Sequence, residues 1–122
     1  MLIDSCAWIE FFYGTEKGKK VKDILASAAC FTSAICLAEL SDWIEREKIN
    51  RAKVMNEISF FSTVIDLDRE TLELAGILKA EKRKTVKDFG LVDAIILATG
   101  KKYNLRVITT DRHFSGENSL LL

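Results

Sequence analysis

Hydrophobic positions change their spacing along this chain, and each change marks an element. Short apolar or β-branched runs appear at Leu2-Ile3-Asp4, Cys30-Phe31-Thr32-Ser33, Thr63-Val64-Ile65-Asp66-Leu67 and Arg106-Val107-Ile108-Thr109, and Leu120-Leu121-Leu122 reads as a last short edge strand. Between them the apolar residues recur every three or four positions. Cys6 to Tyr13 is a helix with Ser5 as its cap and Gly14 as its stop. Glu16 to Ala29 buries Val21, Ile24, Leu25 and Ala28. Ala34 to Ile49 follows, with Leu37, Leu40 and Ile44 inside and a break at Asn50, then Arg51 to Ser62 with Val54, Ile58 and Phe61. Asp68 caps a helix over Arg69 to Lys84, and residues 85–90 form a loop closed by Gly90. The helix that starts at Leu91 runs to a basic break, Lys101-Lys102-Tyr103-Asn104, and feeds the fourth strand.

Strands that alternate with helices need crossover connections, so the pattern predicts an α/β fold. The expectation is a three-layer α/β/α sandwich around a central, mainly parallel sheet of four or five strands, in one domain over residues 1–122. In such sheets the functional crevice lies at the carboxyl ends of the strands. Asp4 and Asp111 leave the carboxyl ends of the first and fourth strands, and Asp93 lies at a helix start facing the same edge. Glu39, in Cys36-Leu37-Ala38-Glu39-Leu40, is a carboxylate on a mostly apolar helical stretch within reach of it.

Partly buried carboxylates are costly unless paired or bound to a cation. Crowded together they repel, and one of them holds its proton unless a cation intervenes. Mg²⁺ or Mn²⁺ takes hard oxygen ligands and removes the conflict. It also activates water beside a phosphate, which makes phosphodiester hydrolysis a natural use of an acid-only site. Taken singly, Asp4 is more often a helix cap, Asp93 a dipole partner and Asp111 a turn residue than a ligand. Asp42, three residues after Glu39, is a possible further ligand or support. Glu10 and Asp66 are assigned to a water-facing position and an edge strand.

Composition narrows the classes. Eighteen basic and eighteen acidic residues cancel, so a whole-chain basic footprint for nucleic acid is absent. Lys79, Lys82, Arg83, Lys84 and Lys87 nevertheless cluster ahead of Asp93, as phosphate contacts or as a solvated helix end. Three cysteines, none spaced C-x-x-C, argue against a disulfide framework or a structural zinc site and read as buried thiols. No apolar run is long enough for a membrane span, and the start has no basic segment of a signal peptide, so a cytoplasmic location is expected.

Four stretches in this order carry a resemblance across the whole chain: Leu2-Ile3-Asp4-Ser5 with Trp8-Ile9, Leu37-Ala38-Glu39-Leu40, Asp93-Ala94-Ile95-Ile96-Leu97-Ala98-Thr99, and Thr109-Thr110-Asp111-Arg112-His113-Phe114. The sequence resembles the PIN-domain ribonucleases, particularly the VapC-type toxins of toxin–antitoxin pairs. The family's acidic site maps onto Asp4, Glu39, Asp93 and Asp111. The resemblance implies Mg²⁺- or Mn²⁺-dependent cleavage of RNA, a homodimer, and a small antitoxin that masks the site. An apolar groove on the early helices would then take an amphipathic partner helix. Thr110 stands where the family often has Asn, Ser41-Asp42 where many relatives have Gly, and Gly100 where a small residue such as Ala is usual. Ser5 and Thr109 are placed to orient carboxylates, and Arg112, Lys84 and Lys87 to meet RNA phosphates. The lone His113, which follows Asp111 and is also placed to contact phosphate, is assigned to a surface turn in preference. Two competing readings remain: a catalytically silent PIN-like module that binds protein or RNA, and a receiver-type phosphoacceptor domain.

Overall fold

The shortest strand is the central one. In the computed structural model, which describes residues 1–122, β1 (Leu2–Ile3) pairs with β2 (Phe31–Ser33) on one side and β4 (Val107–Thr109) on the other. β3 (Thr63–Ile65) lies outside β2 and β5 (Ser119–Leu121) outside β4. The order is β3-β2-β1-β4-β5 and every pairing is parallel. A receiver-type sheet runs 2-1-3-4-5, so that rival is set aside by topology.

Alternate residues of β1 and β4 build the two faces. Leu2 and Val107 point one way, into a core with Ala75 and Leu78 of α5 (Arg69–Lys82) and Ala94, Leu97 and Ala98 of α6 (Leu91–Tyr103). Ile3 and Ile108 point the other way. They meet Trp8 of α1 (Ser5–Tyr13), Val21 of α2 (Glu16–Ser27), Leu40 and Trp43 of α3 (Ala34–Glu47), and Val54 and Ile58 of α4 (Arg51–Phe61). Leu2, Ile3 and Ile108 are fully buried, and a fully buried aliphatic side chain is worth about 1.5–3 kcal/mol relative to exposure. Both cores therefore hold the middle of the sheet rigidly, and the side chains just past its strand ends inherit that rigidity. Gly100 lets α6 approach β4: a Cβ there would meet Leu105 O and Val107 Cγ2 at 3.2 Å.

The elements differ from the sequence reading mainly at their ends. The cap of α1 is Asp4, not Ser5, because the Asp4 carboxylate accepts from Ser5 N and the helix begins one residue earlier. Ser33 occupies the cap position of α3, but its side chain makes no capping bond. α3 stops at Glu47, where Lys48 turns left-handed (φ 53°), before Asn50 is reached; Asn50 instead caps α4 through Lys53 N. β3 ends at Ile65, so Asp66 stands just beyond it and is exposed on the outer edge of the sheet. α5 ends at Lys82 rather than Lys84. The last strand does form, with Ser119, Leu120 and Leu121 in parallel register with β4. No helix is long and apolar enough to cross a membrane.

Candidate metal centre

After β1 the chain turns to β2 and β3 on one side, and only later returns to place β4 on the other. The strand order thus reverses between β1 and β4, where an open parallel sheet leaves a crevice at its carboxyl edge. Asp4 follows β1 directly. Its backbone N–H donates to Ile108 O of β4 (3.0 Å), and its carbonyl accepts from Trp8 N (3.0 Å). The side chain therefore has no freedom to leave the edge. Oδ1 accepts from Ser5 N (2.8 Å), and Oδ2 accepts from Thr109 Oγ1 (2.8 Å) and from the Cys6 thiol (3.1 Å). Asp4 is 4% exposed. Burial raises its pKa above the usual carboxylate value despite these donors, and the neighbouring Asp111 adds repulsion.

The other three acids come from three further elements. Glu39, on the second turn of α3, accepts from Ser5 Oγ (2.9 Å). Asp93, in the first turn of α6, turns back toward Gly90 N–H (3.4 Å). Asp111 caps a 3-10 turn, Arg112–Phe114, through His113 N (2.8 Å), and its own N–H donates to Thr109 Oγ1 (3.0 Å). Burial raises Glu39 and Asp93 above the usual carboxylate value, and the surrounding acids push them further. Glu39 feels Asp4, Asp93 and Asp111; Asp93 feels Asp111 and Asp4. The four carboxylates are one electrostatic cluster drawn from four places in the chain.

Their ligand atoms fall into two groups. One atom each from Asp4, Cys36 and Glu39 lie within 4.8 Å of one another, and so do one each from Asp93, Asp111 and His113. No lysine or arginine ion-pairs with any of the four acids. Buried and half-buried carboxylates held apart from protein cations, with a bare ring nitrogen among them, form a donor set that suits a hard or borderline divalent cation.

The PIN domain family model matches residues 1–116. The chain belongs to the PIN domain family. Solved structures share the fold of this PIN domain. A toxin–antitoxin complex from Klebsiella pneumoniae superimposes with a TM-score of 0.79 at 22% identity, over 98% of this chain and 94% of that one. DNA-bound VapBC from Salmonella typhimurium gives 0.76 at 23%, over 98% and 95%. VapC20 from Mycobacterium tuberculosis, a sarcin-ricin loop cleaving toxin, gives 0.74 at 21%, over 93% and 92%. Among curated proteins none matches by sequence.

Within this PIN domain the remaining expected residues divide. Ser5 and Thr109 touch the carboxylates, as described. Asp42 does not: its exposed carboxylate pairs with Arg46 (3.0 Å) on the same helix, so the placement of Asp42 at the site is corrected. Arg112, Lys84 and Lys87 are exposed and carry no ion pair. Two others of the basic cluster are occupied in the fold: Lys82 pairs with Glu117 (3.2 Å), and Arg83 Nε donates to Phe89 O (2.7 Å).

Two residues at the edge differ from their sequence reading, Cys6 as a buried thiol and His113 as a surface turn preferred over a phosphate contact. Cys6 touches both Asp4 and Thr109 and receives Thr110 N–H (3.4 Å). Burial, with Asp4 beside it, pushes its thiol up to about 11, so it serves as a neutral donor. His113 brings Nδ1 to 3.5 Å from Asp93 and 3.4 Å from Asp111, which corrects its assignment to a surface turn. The one signal in the sequence was its place two residues after Asp111.

Proposed function

We propose that this PIN domain is a divalent-cation-dependent endoribonuclease that hydrolyses RNA phosphodiester bonds, the toxin of a type II toxin–antitoxin pair. The observation that supports it is the joining of four carboxylates from four elements at the strand-order reversal, with no lysine or arginine to neutralise them. Asp4, Glu39, Asp93 and Asp111 would hold Mg²⁺ or Mn²⁺. Such a cation, when bound, lowers the pKa of a coordinated water and screens the phosphate charge.

The chain's own groups prepare that chemistry. Thr109 and Cys6 donate to one oxygen of Asp4, and Ser5 N–H donates to the other, which fixes the plane of the carboxylate. Ser5 Oγ fixes Glu39 in the same way. The rigid β1–β4 pairing sets the distance between the Asp4 side and the Asp111 side, so the site is organised before substrate arrives. Arg112, Lys84 and Lys87, exposed and free of ion pairs, are the cations we assign to RNA phosphates. As a toxin the protein would work in the cytoplasm as a homodimer, restrained by a small antitoxin; the DNA-bound VapBC relative supports this pairing.

The test is cleavage of a mixed-sequence RNA with EDTA, Mg²⁺ or Mn²⁺, run beside Asp93→Asn. The expected result is cleavage by the wild type only with a divalent cation, and cleavage at least about a hundredfold slower by the variant. Equal behaviour of wild type and variant overturns the enzyme reading in favour of a silent binding module.

A further inference from the structure

One donor at the site is not an acid. The imidazole of His113 sits between Asp93 and Asp111, its Nδ1 3.5 Å from Asp93 Oδ2 and 3.4 Å from Asp111 Oδ1. A direct N–H···O bond spans about 2.7–3.2 Å, so the ring is too far from both carboxylates to bond either well. Nδ1 is shielded from solvent and makes no hydrogen bond of normal length, although the ring is close enough to Asp93 to favour its charged form slightly. A shielded, unpaired ring nitrogen aimed at two carboxylates asks for something between them. Donors bound at about 2.1 Å to one ion stand roughly 3.0–3.4 Å apart in octahedral or tetrahedral arrangement. The observed separations are close to that spacing.

The ring is also held in place. His113 N–H donates to Asp111 Oδ1 (2.8 Å), which winds the 3-10 turn back over the end of β4. The next residue, Phe114, is fully buried and packs edge-on against Phe89, with ring centroids 6.0 Å apart. Phe89 in turn precedes Gly90, the cap of α6, which carries Asp93. The acid and the imidazole are therefore tied to each other through one aromatic contact and one turn.

We propose that His113 Nδ1 is itself a ligand of the bound cation, so that this site selects a nitrogen-accepting ion, Mn²⁺ or Co²⁺, over Mg²⁺. The inference rests on the reading of the four acids as a cation site and refines it. An all-oxygen site is open to Mg²⁺, whereas imidazole raises affinity for transition metals. With His113 the group presents two carboxylates and one nitrogen on one side of the crevice, while Asp4 and Glu39 close the other side.

The experiment is Mn²⁺ binding to the full chain without RNA, followed by electron paramagnetic resonance, with pulsed detection of nitrogen hyperfine coupling. The wild type is expected to bind Mn²⁺ and show nitrogen coupling. His113→Ala is expected to lose the coupling and bind Mn²⁺ at least about tenfold more weakly, the lower end of what even an outer partner of a ligand is worth. Its Mg²⁺ affinity, read by competition, should change far less. His113→Asn, which keeps a polar group of similar reach, and a thermal melt of each variant separate ligand loss from misfolding. A wild-type Mn²⁺ complex without nitrogen coupling, or coupling that persists in His113→Ala, overturns the nitrogen ligand while leaving the acidic cation site standing. Absence of Mn²⁺ binding, with Asp93→Asn indistinguishable from wild type, overturns both.

Discussion

Helix α6 has an acid problem at each end and treats the two differently. Near its C-terminus Glu117 lies between Lys82 (3.2 Å) and Lys101 (3.4 Å), its side chain 19% exposed. At its N-terminus Asp93 is 22% exposed, almost as sheltered, and its nearest cationic candidate is His113 at 3.5 Å. The two carboxylates have similar access to water, so burial alone does not separate them. The difference is that the fold supplies two cations to Glu117 and leaves Asp93 facing Asp111 and Asp4. Glu117 is a finished structural contact that ties β5 and the end of α5 to α6. Asp93 belongs to a cluster whose charge is left for a partner from outside the chain. An acid is better judged functional by the cations missing around it than by its burial.

The comparison is broken hardest at the Asp93 end. Asp93→Asn keeps the shape and removes the charge, so RNA cleavage is expected to fall by about a hundredfold or more, the scale of losing one preorganised electrostatic group. Single-turnover cleavage in Mn²⁺ measures it. Glu117→Ala should do the reverse: cleavage per folded molecule survives while stability falls. Lys82 is only 14% exposed and would lose its carboxylate, keeping a long contact to Ser115 O (3.4 Å) and the Phe89 face. A half-buried pair lies between the surface and interior cases, so a loss of about 1–3 kcal/mol in urea unfolding is expected. An Asp93→Asn protein that cleaves normally, or a Glu117→Ala protein that is fully stable and inactive, would invert the two roles.

A smaller effect separates the two ends by pH. In the cation-free protein, burial and Asp111 hold Asp93 above its ordinary 3.8. The fold then prefers the protonated carboxyl. That preference stabilises in full below 3.8 and is lost as pH rises through the raised folded value. Asn cannot ionise, so Asp93→Asn should melt above the wild type at pH 7, and the gap should close as pH falls through this window. Mn²⁺ should reverse the order at neutral pH, adding to the wild type about 2.7 kcal/mol at a hundredfold excess over Kd, with little gain in the variant. A cation-free variant that melts below the wild type at pH 7 would show that Asp93 is already neutralised by its own fold.

Much of this was legible in the chain, for physical reasons that can be named. Strand and helix periods differ sharply, so the α/β alternation and the parallel sheet followed from spacing. Asp4, Asp93 and Asp111 could be placed at one edge because crossover topology puts strand ends and following helix starts together. His113 could not, because its position depends on a 3-10 turn held by Asp111 and on the burial of Phe114 against Phe89, a contact between residues 25 positions apart. Cys6 was hidden for a related reason: a lone thiol with no second Cys or His at ligand spacing reads as a buried side chain, and its contacts to Thr109 and Thr110 arise only when β1 and β4 pair. The ends of elements were read less well than their middles. Asp4, rather than Ser5, proved to be the cap because the same carboxylate that faces the site also accepts Ser5 N–H.

Asp42 offers the smallest expected effect and a strict check on where the cluster ends. It shares α3 with Glu39, and its spacing made it a plausible companion. In the fold its side chain is 68% exposed and meets Arg46 one turn on, while Glu39 turns to Ser5. An exposed pair of this spacing contributes about 0.3–0.5 kcal/mol and is screened by salt. Asp42→Ala should therefore leave both cleavage and Mn²⁺ affinity at wild-type levels, and shift urea stability by no more than about 0.5 kcal/mol, with less effect at high salt. The same measurements on Glu39→Gln should show weakened Mn²⁺ binding with its fold intact, because Ser5 Oγ can still donate to the amide oxygen. If Asp42→Ala weakens Mn²⁺ binding as much as Glu39→Gln does, the boundary drawn along α3 is misplaced, and the cluster reaches one turn further down that helix.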